Sequence, residues 1–152
     1  MIFIEEIENL AYHISDALVE NAALEAMRGH FAPTDADLTI VLTDDAQLRT
    51  LNRDYLDVDA PTDVLSFPSD QTDPESGLRY LGDILVSMER AAAQSAAAGH
   101  ALEAEVQLLV VHGVLHLLGH DHAEPEEKAQ MWKAQAEILS RLGLGAIEIR
   151  EN

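Results

Sequence analysis

The chain contains no cysteine, which excludes disulfides, thiol nucleophiles and thiolate metal ligands, and leaves His, Asp, Glu and backbone oxygens to hold any metal. A reducing cytoplasm suits such a chain. Positive charge is equally scarce, with nine Lys and Arg against 28 Asp and Glu for a formal net charge of −19. That field repels polyanions at long range, so nucleic-acid binding starts at a disadvantage, and the acidity suits solubility or a basic protein partner. Long apolar runs are also missing. The longest, Val106 to Leu118, is interrupted by Gln107, His112, Gly113 and His116 and falls short of the ~20 residues that span a bilayer. The opening "MIFIEEIENL" is acidic within five residues, so neither a secretory signal nor a membrane partner is expected.

What is present is enough apolar material, 47% of 152 residues, for one domain over 1–152 with a substantial core. "IFIEEI" suits a short first strand, and Leu10 to Arg28 carries apolar residues at helical intervals, including Ile14, Leu18 and Met27. "DLTIVLT" (37–43) reads as a buried strand, with Thr43 or Asp44 capping a helix that carries Leu48 and Leu51. Between Pro61 and Pro68 a strand alternates Val64 and Ser66 against Leu65 and Phe67. The turn-rich "SDQTDPESG" (69–77) reads as a mobile surface loop before the fourth strand, "YLGDILVS". An alanine-rich helix ending at Gly99 follows, then an almost wholly apolar helix ending near Gly119, then a last one from about Pro125 to Leu142.

The apolar helix ends in "HGVLHLLGHDH" (112–122), which holds four of the seven histidines. On a helix, His112 and His116 lie about 40° apart on one face with a rise of ~6 Å, so both rings reach one ion. A break at Gly119 lets the chain turn back and bring His122 to the same point. His120 competes for that role, but on an unbroken helix it would sit ~12 Å from residue 112, whereas two nitrogens on one tetrahedral ion are only ~3.4 Å apart. Three imidazoles without a fourth protein ligand leave an open position, as catalytic zinc sites do, and Asp121 and Glu105 are candidate acceptors that orient the rings. One zinc ion per chain is expected, although three imidazoles also suit nickel, copper or another divalent metal. The spacing matches the metzincin motif H-E-x-x-H-x-x-G-x-x-H, but Gly113 stands where those peptidases place their general base, which argues against a peptide substrate.

The same stretch resembles the YbeY endoribonucleases, or rRNA maturation factors, which carry H-G-x-L-H-L-x-G-Y-D-H. The likeness continues through "LNRDYLDVDAPTDVLSFP" (51–68), "LGDILVS" (81–87) and "EEKAQMWKAQAEILSRLGL" (126–144), covering roughly residues 35 to 144. It implies an α/β (α+β) fold, a small mixed four-stranded sheet flanked by about five helices. It also implies a metal held by His112, His116 and His122, and cleavage of single-stranded rRNA in 16S 3′-end processing and ribosome quality control. The partners would then be rRNA and the ribosome or its proteins, rather than DNA. Thr62, Asp63 and Ser66 would line the substrate groove, and no catalytic side chain is assigned. Two positions depart from the family pattern: His120 replaces a tyrosine, and Leu56 stands where many members have an arginine credited with RNA contact. The nearest cations, Arg49 and Arg53, are spaced i, i+4 on one helix face and suit phosphate contact, or else pair with Asp45 or Asp57. The nucleophile is either water or the 2′-hydroxyl of the RNA. Two rival readings are a three-histidine metal hydrolase of a non-RNA substrate and an assembly factor with a structural metal.

Overall fold

The computed structural model describes residues 1–28, 36–69, 71–72, 74–75, 77–119 and 124–147. Strand β1 (Ile2–Glu6) leads through helix α1 (Asp16–Arg28) to β2 (Asp37–Thr43), and α2 (Asp45–Leu56) leads to β3 (Val64–Pro68). Strand β4 (Tyr80–Ser87) is followed by three helices, α3 (Met88–Ala98), α4 (Leu102–Leu117) and α5 (Pro125–Arg141). The sheet order is β1-β2-β4-β3, parallel from β1 to β4 and antiparallel at β3. This is the mixed four-stranded sheet with five helices that the resemblance implies. Among the described residues no helix is long and apolar enough to cross a membrane.

The element ends follow local chemistry. Asp44 rather than Thr43 caps α2, accepting from Gln47 N at 2.9 Å, and Ser87 caps α3 in the same way for Arg90 N. Gly99 and Gly119 both take positive φ, at 79° and 97°, where a residue without Cβ bears no steric cost. The first helix starts later than its periodicity predicts. Ser15 takes up its first turn, with its carbonyl accepting from Leu18 N and its hydroxyl from Ala17 N, while Leu10 and Ile14 are buried from the segment before it. In the 69–77 loop Thr72 forms a single antiparallel bridge with Arg79, and positions 70, 73 and 76 lie outside the described residues.

Helix α4 runs through the interior. Thirteen of its residues are buried, packed against α1, α3, α5 and strands β3 and β4, so its lack of a polar face is what its position requires. Leu38, Ile40, Leu42, Ile84 and Val86 face it across the main core. The other sheet face carries a smaller cluster of Leu48, Leu65 and Leu85, with Val41, Leu51 and Phe67 against it. β3 therefore sends Leu65 and Phe67 toward α2, as the strand's alternation predicts, and leaves Val64 on the main core.

Two glycines set the spacing of these layers. At Gly113 an added Cβ would sit 2.7 Å from Ile84 Cγ2, so α4 lies on the sheet where no side chain fits. This gives a steric reason, independent of chemistry, why the metzincin glutamate has no place in this chain. At Gly82, with φ 137°, an added Cβ would sit 2.2 Å from the Phe67 carbonyl oxygen. The register shifts here, Asp37 pairing with Tyr80 but Leu38 with Gly82. The extra residue lets Leu81 and Ile84 reach the same core despite their odd spacing.

Candidate metal centre and substrate cleft

The histidines of α4 are brought together by helical geometry and held by a neighbour far away in sequence. His112 and His116 place their Nε2 atoms 3.1 Å apart, with ring centroids at 4.6 Å. Two nitrogens bound at ~2.0–2.1 Å to one tetrahedral ion are separated by about the same distance. His112 is buried, and its Nδ1 lies 3.1 Å from Gln135 Oε1 on α5. An amide oxygen only accepts, so Nδ1 carries the hydrogen and Nε2 presents a lone pair beside His116. The donor set and its orientation therefore fit a metal ion. His122, the expected third ligand, and its competitor His120 lie outside the described residues, as does Asp121. Among the described residues no group of three His, Cys, Asp or Glu side chains converges.

Glu105 is not the acceptor that orients these rings. It lies seven residues before His112, about 10 Å along the axis, and its fully buried carboxylate receives His100 Nε2 at 2.7 Å. Gln94, with its amide nitrogen turned inward, donates to Glu105 Oε2 at 2.9 Å and to Asp63 Oδ2 at 3.3 Å. The polar residue that sequence reasoning missed is Gln135. It sits among Met131, Ala134, Ile138 and Leu139 on the buried face of α5, and a polar side chain at a core-facing position was its only sequence signal. Trp132, the sole tryptophan, packs partly against the main core and lies edge-on to His112, at 6.2 Å between ring centroids.

The two histidines open into a cleft of about 320 Å³, whose lining includes Thr62, Asp63 and Ser66 from the β3 segment and Leu56 from the end of α2. The three β3-segment residues expected near the groove are thus beside the imidazoles. Ser66 Oγ donates to the Gly113 carbonyl at 3.2 Å, tying the strand to α4 in the turn that carries His112. Asp63 is only 3% exposed, and burial pushes its carboxyl above the usual range, opposed by the Gln94 hydrogen bond and reinforced by nearby Glu105. Arg53 is not among the described residues that line this cleft. Its Nε lies 3.2 Å from Asp54, and Arg49 Nε lies 2.9 Å from Asp59. Neither arginine uses Asp45 or Asp57. Asp45 receives Ser87 and Arg90, and Asp57 is the left-handed C-cap of α2.

A mixed α/β layer with two imidazoles meeting in a cleft defines the class as a small α/β protein whose cleft presents paired histidine donors. The comparisons narrow it. The family model described as Endoribonuclease YbeY matches residues 4–143, and the chain belongs to this family. A Roseiflexus castenholzii protein named Endoribonuclease YbeY is 42% identical over 95% of this chain and 94% of its own length. A relative of the same name from Chloroflexus aurantiacus is 46% identical over 84% of this chain and 86% of its own. In fold the chain is similar to TM1509 from Thermotoga maritima, known from a solution structure, with a TM-score of 0.58 at 23% identity over 100% of this chain and 99% of that one. The family membership favours the nuclease reading over both rivals.

Proposed function

We propose that the chain acts, as one domain in the cytoplasm, as a metal-dependent endoribonuclease that cuts single-stranded rRNA during ribosome maturation. Family membership supports the nuclease activity. The observation that carries the metal site is the 3.1 Å approach of the His112 and His116 Nε2 atoms, with the His112 ring oriented by Gln135. In this reading His112, His116 and His122 hold the ion, with zinc first and nickel or copper as alternatives. A divalent ion bound there supplies Lewis acidity toward a phosphoryl oxygen.

The protein's own residues do the rest. Gln135 keeps the His112 hydrogen on Nδ1, and Ser66 holds β3 against the histidine-bearing turn. Thr62 and Val64 line the wall along which the strand would lie. A cleft of about 320 Å³ has the size of a small-molecule pocket. It admits a nucleotide-sized segment of an unpaired strand, whereas a stacked A-form duplex keeps both strands outside it. Ribosomal proteins, which are commonly basic, suit the −19 surface as partners.

The direct test is metal analysis of the purified protein together with cleavage of an RNA containing one unpaired segment. Cuts confined to that segment are expected. Chelation should abolish cleavage while the melting temperature falls only by what is due to lost ligand binding. Collapse of the fold on chelation would instead favour a structural metal.

Gln135→Leu tests the orienting bond separately. It is expected to weaken metal affinity by about 10–100-fold, as loss of a hydrogen-bonding partner behind a metal-bound histidine typically does. Quenching of Trp132, close to His112, by added nickel or copper reads this directly. Wild-type affinity in the variant would show that the 3.1 Å contact does not orient the ring.

A further inference from the structure

The cleft rim carries an apolar feature that neither the metal centre nor the core explains. Among the described residues six large apolar side chains are exposed, and three of them, Tyr55, Leu56 and Val58, fall in one short stretch at the end of α2. Leu56 lines the cleft beside His112 and His116. Tyr55 is 68% exposed, and its ring meets that of Phe67 edge-to-face, at 5.6 Å between centroids and 69° between planes. Phe67 lies in β3 between Ser66 and Pro68, which both line the cleft. An aromatic ring that is mostly open to solvent, yet braced by a second ring, stands one residue before Leu56, which lines the cleft. Left bare, such a patch is a liability in water.

Charge limits what this rim can attract. The protein carries −19 overall, Leu56 offers no cation, and the nearest arginines are engaged with Asp54 and Asp59. Attraction to an RNA strand therefore needs a contribution that does not depend on charge. Stacking is such a contribution, because every base has a π-face, and it requires a base already free of a duplex.

We propose that Tyr55, braced by Phe67, is a base-stacking subsite that holds an unpaired nucleobase of the RNA next to the nucleotide in the cleft. This rests on the endoribonuclease reading above and adds to it a residue that selects for unpaired strands. Contacts to phosphate set salt dependence, whereas the Tyr55 ring sets salt-independent affinity.

The experiment is single-turnover cleavage of an unpaired RNA segment by the metal-loaded protein, with half-saturating enzyme concentration measured across a salt titration. Tyr55→Ala should raise that concentration roughly ten-fold at every salt, with the slope unchanged and the saturated rate retained. Tyr55→Phe and Tyr55→Trp should behave as wild type, which separates stacking from any loss of fold. In an abasic scan of the RNA, one position beside the cut should weaken wild type by the same factor and leave Tyr55→Ala unaffected. Wild-type behaviour of Tyr55→Ala, a loss that changes the salt slope, or an abasic effect equal in both proteins would overturn the subsite alone. Wild-type protein that cleaves no RNA would overturn the nuclease reading and the subsite with it.

Discussion

Alanine at His112, His116 or His122 is expected to reduce bound metal from about one ion per chain to a small fraction and to abolish RNA cleavage, whereas His120→Ala keeps both nearly intact. In the proposed three-histidine site, losing one imidazole leaves two. The loss should therefore exceed the roughly 10–100-fold effect of removing an orienting partner such as Gln135. For His112 and His116 the ground is the 3.1 Å separation of their Nε2 atoms on adjacent turns of α4. For His122 it is the left-handed Gly119, at φ 97° just past the end of α4. Elemental analysis of the four purified variants, alongside cleavage of the unpaired RNA, checks this. Full metal in His122→Ala together with loss in His120→Ala would reverse the assignment of the third ligand.

Gly82→Ala is expected to be more damaging than alanine at any other described glycine. Its Cβ would lie 2.2 Å from the Phe67 carbonyl oxygen and 3.0 Å from both Pro68 Cα and Leu117 Cδ2, at a φ of 137°. The obstacle at 2.2 Å is backbone, which cannot rotate away as a side chain end would. Backbone strain of roughly 1–3 kcal/mol adds to overpacking of roughly 1–3 kcal/mol, out of a total stability of about 5–15 kcal/mol. Because the clash pushes β3 away from β4, the cleft wall moves as well, and cleavage should fall in whatever fraction still folds. Gly77→Ala is the control. Its φ is 73°, but nothing lies within 4 Å of the added Cβ, so only the left-handed backbone cost of roughly 1–2 kcal/mol applies. Urea titrations of the two variants should differ by several-fold in stability loss, and equal midpoints would show that the sheet yields at Gly82 far more easily than its packing indicates.

The sequence by itself determined the local and periodic features. The strands "DLTIVLT" and "YLGDILVS", a cap at Thr43 or Asp44, and the glycine stops at 99 and 119 depend on neighbours a few residues away, so the local sequence already specifies them. The His112–His116 pair is of the same kind, because an i, i+4 spacing on a helix leaves little freedom. Family likeness added the small mixed sheet flanked by helices and the expectation that the β3 segment lies at the groove. Only the tertiary structure decided the rest, since it depends on contacts between residues far apart in the chain. Gln135 on α5 reaches His112 across 23 positions, and Glu105, which looks equally suited in sequence, is turned away toward His100 and Gln94. Arg53 pairs with Asp54 and is not among the described residues lining the cleft, while Leu56, one turn further along at the end of α2, is. Gly113 reads in sequence as a missing catalytic base; in the packed protein it is the point where α4 touches Ile84. Periodicity can place a side chain on a helix face, but only packing shows what that face meets.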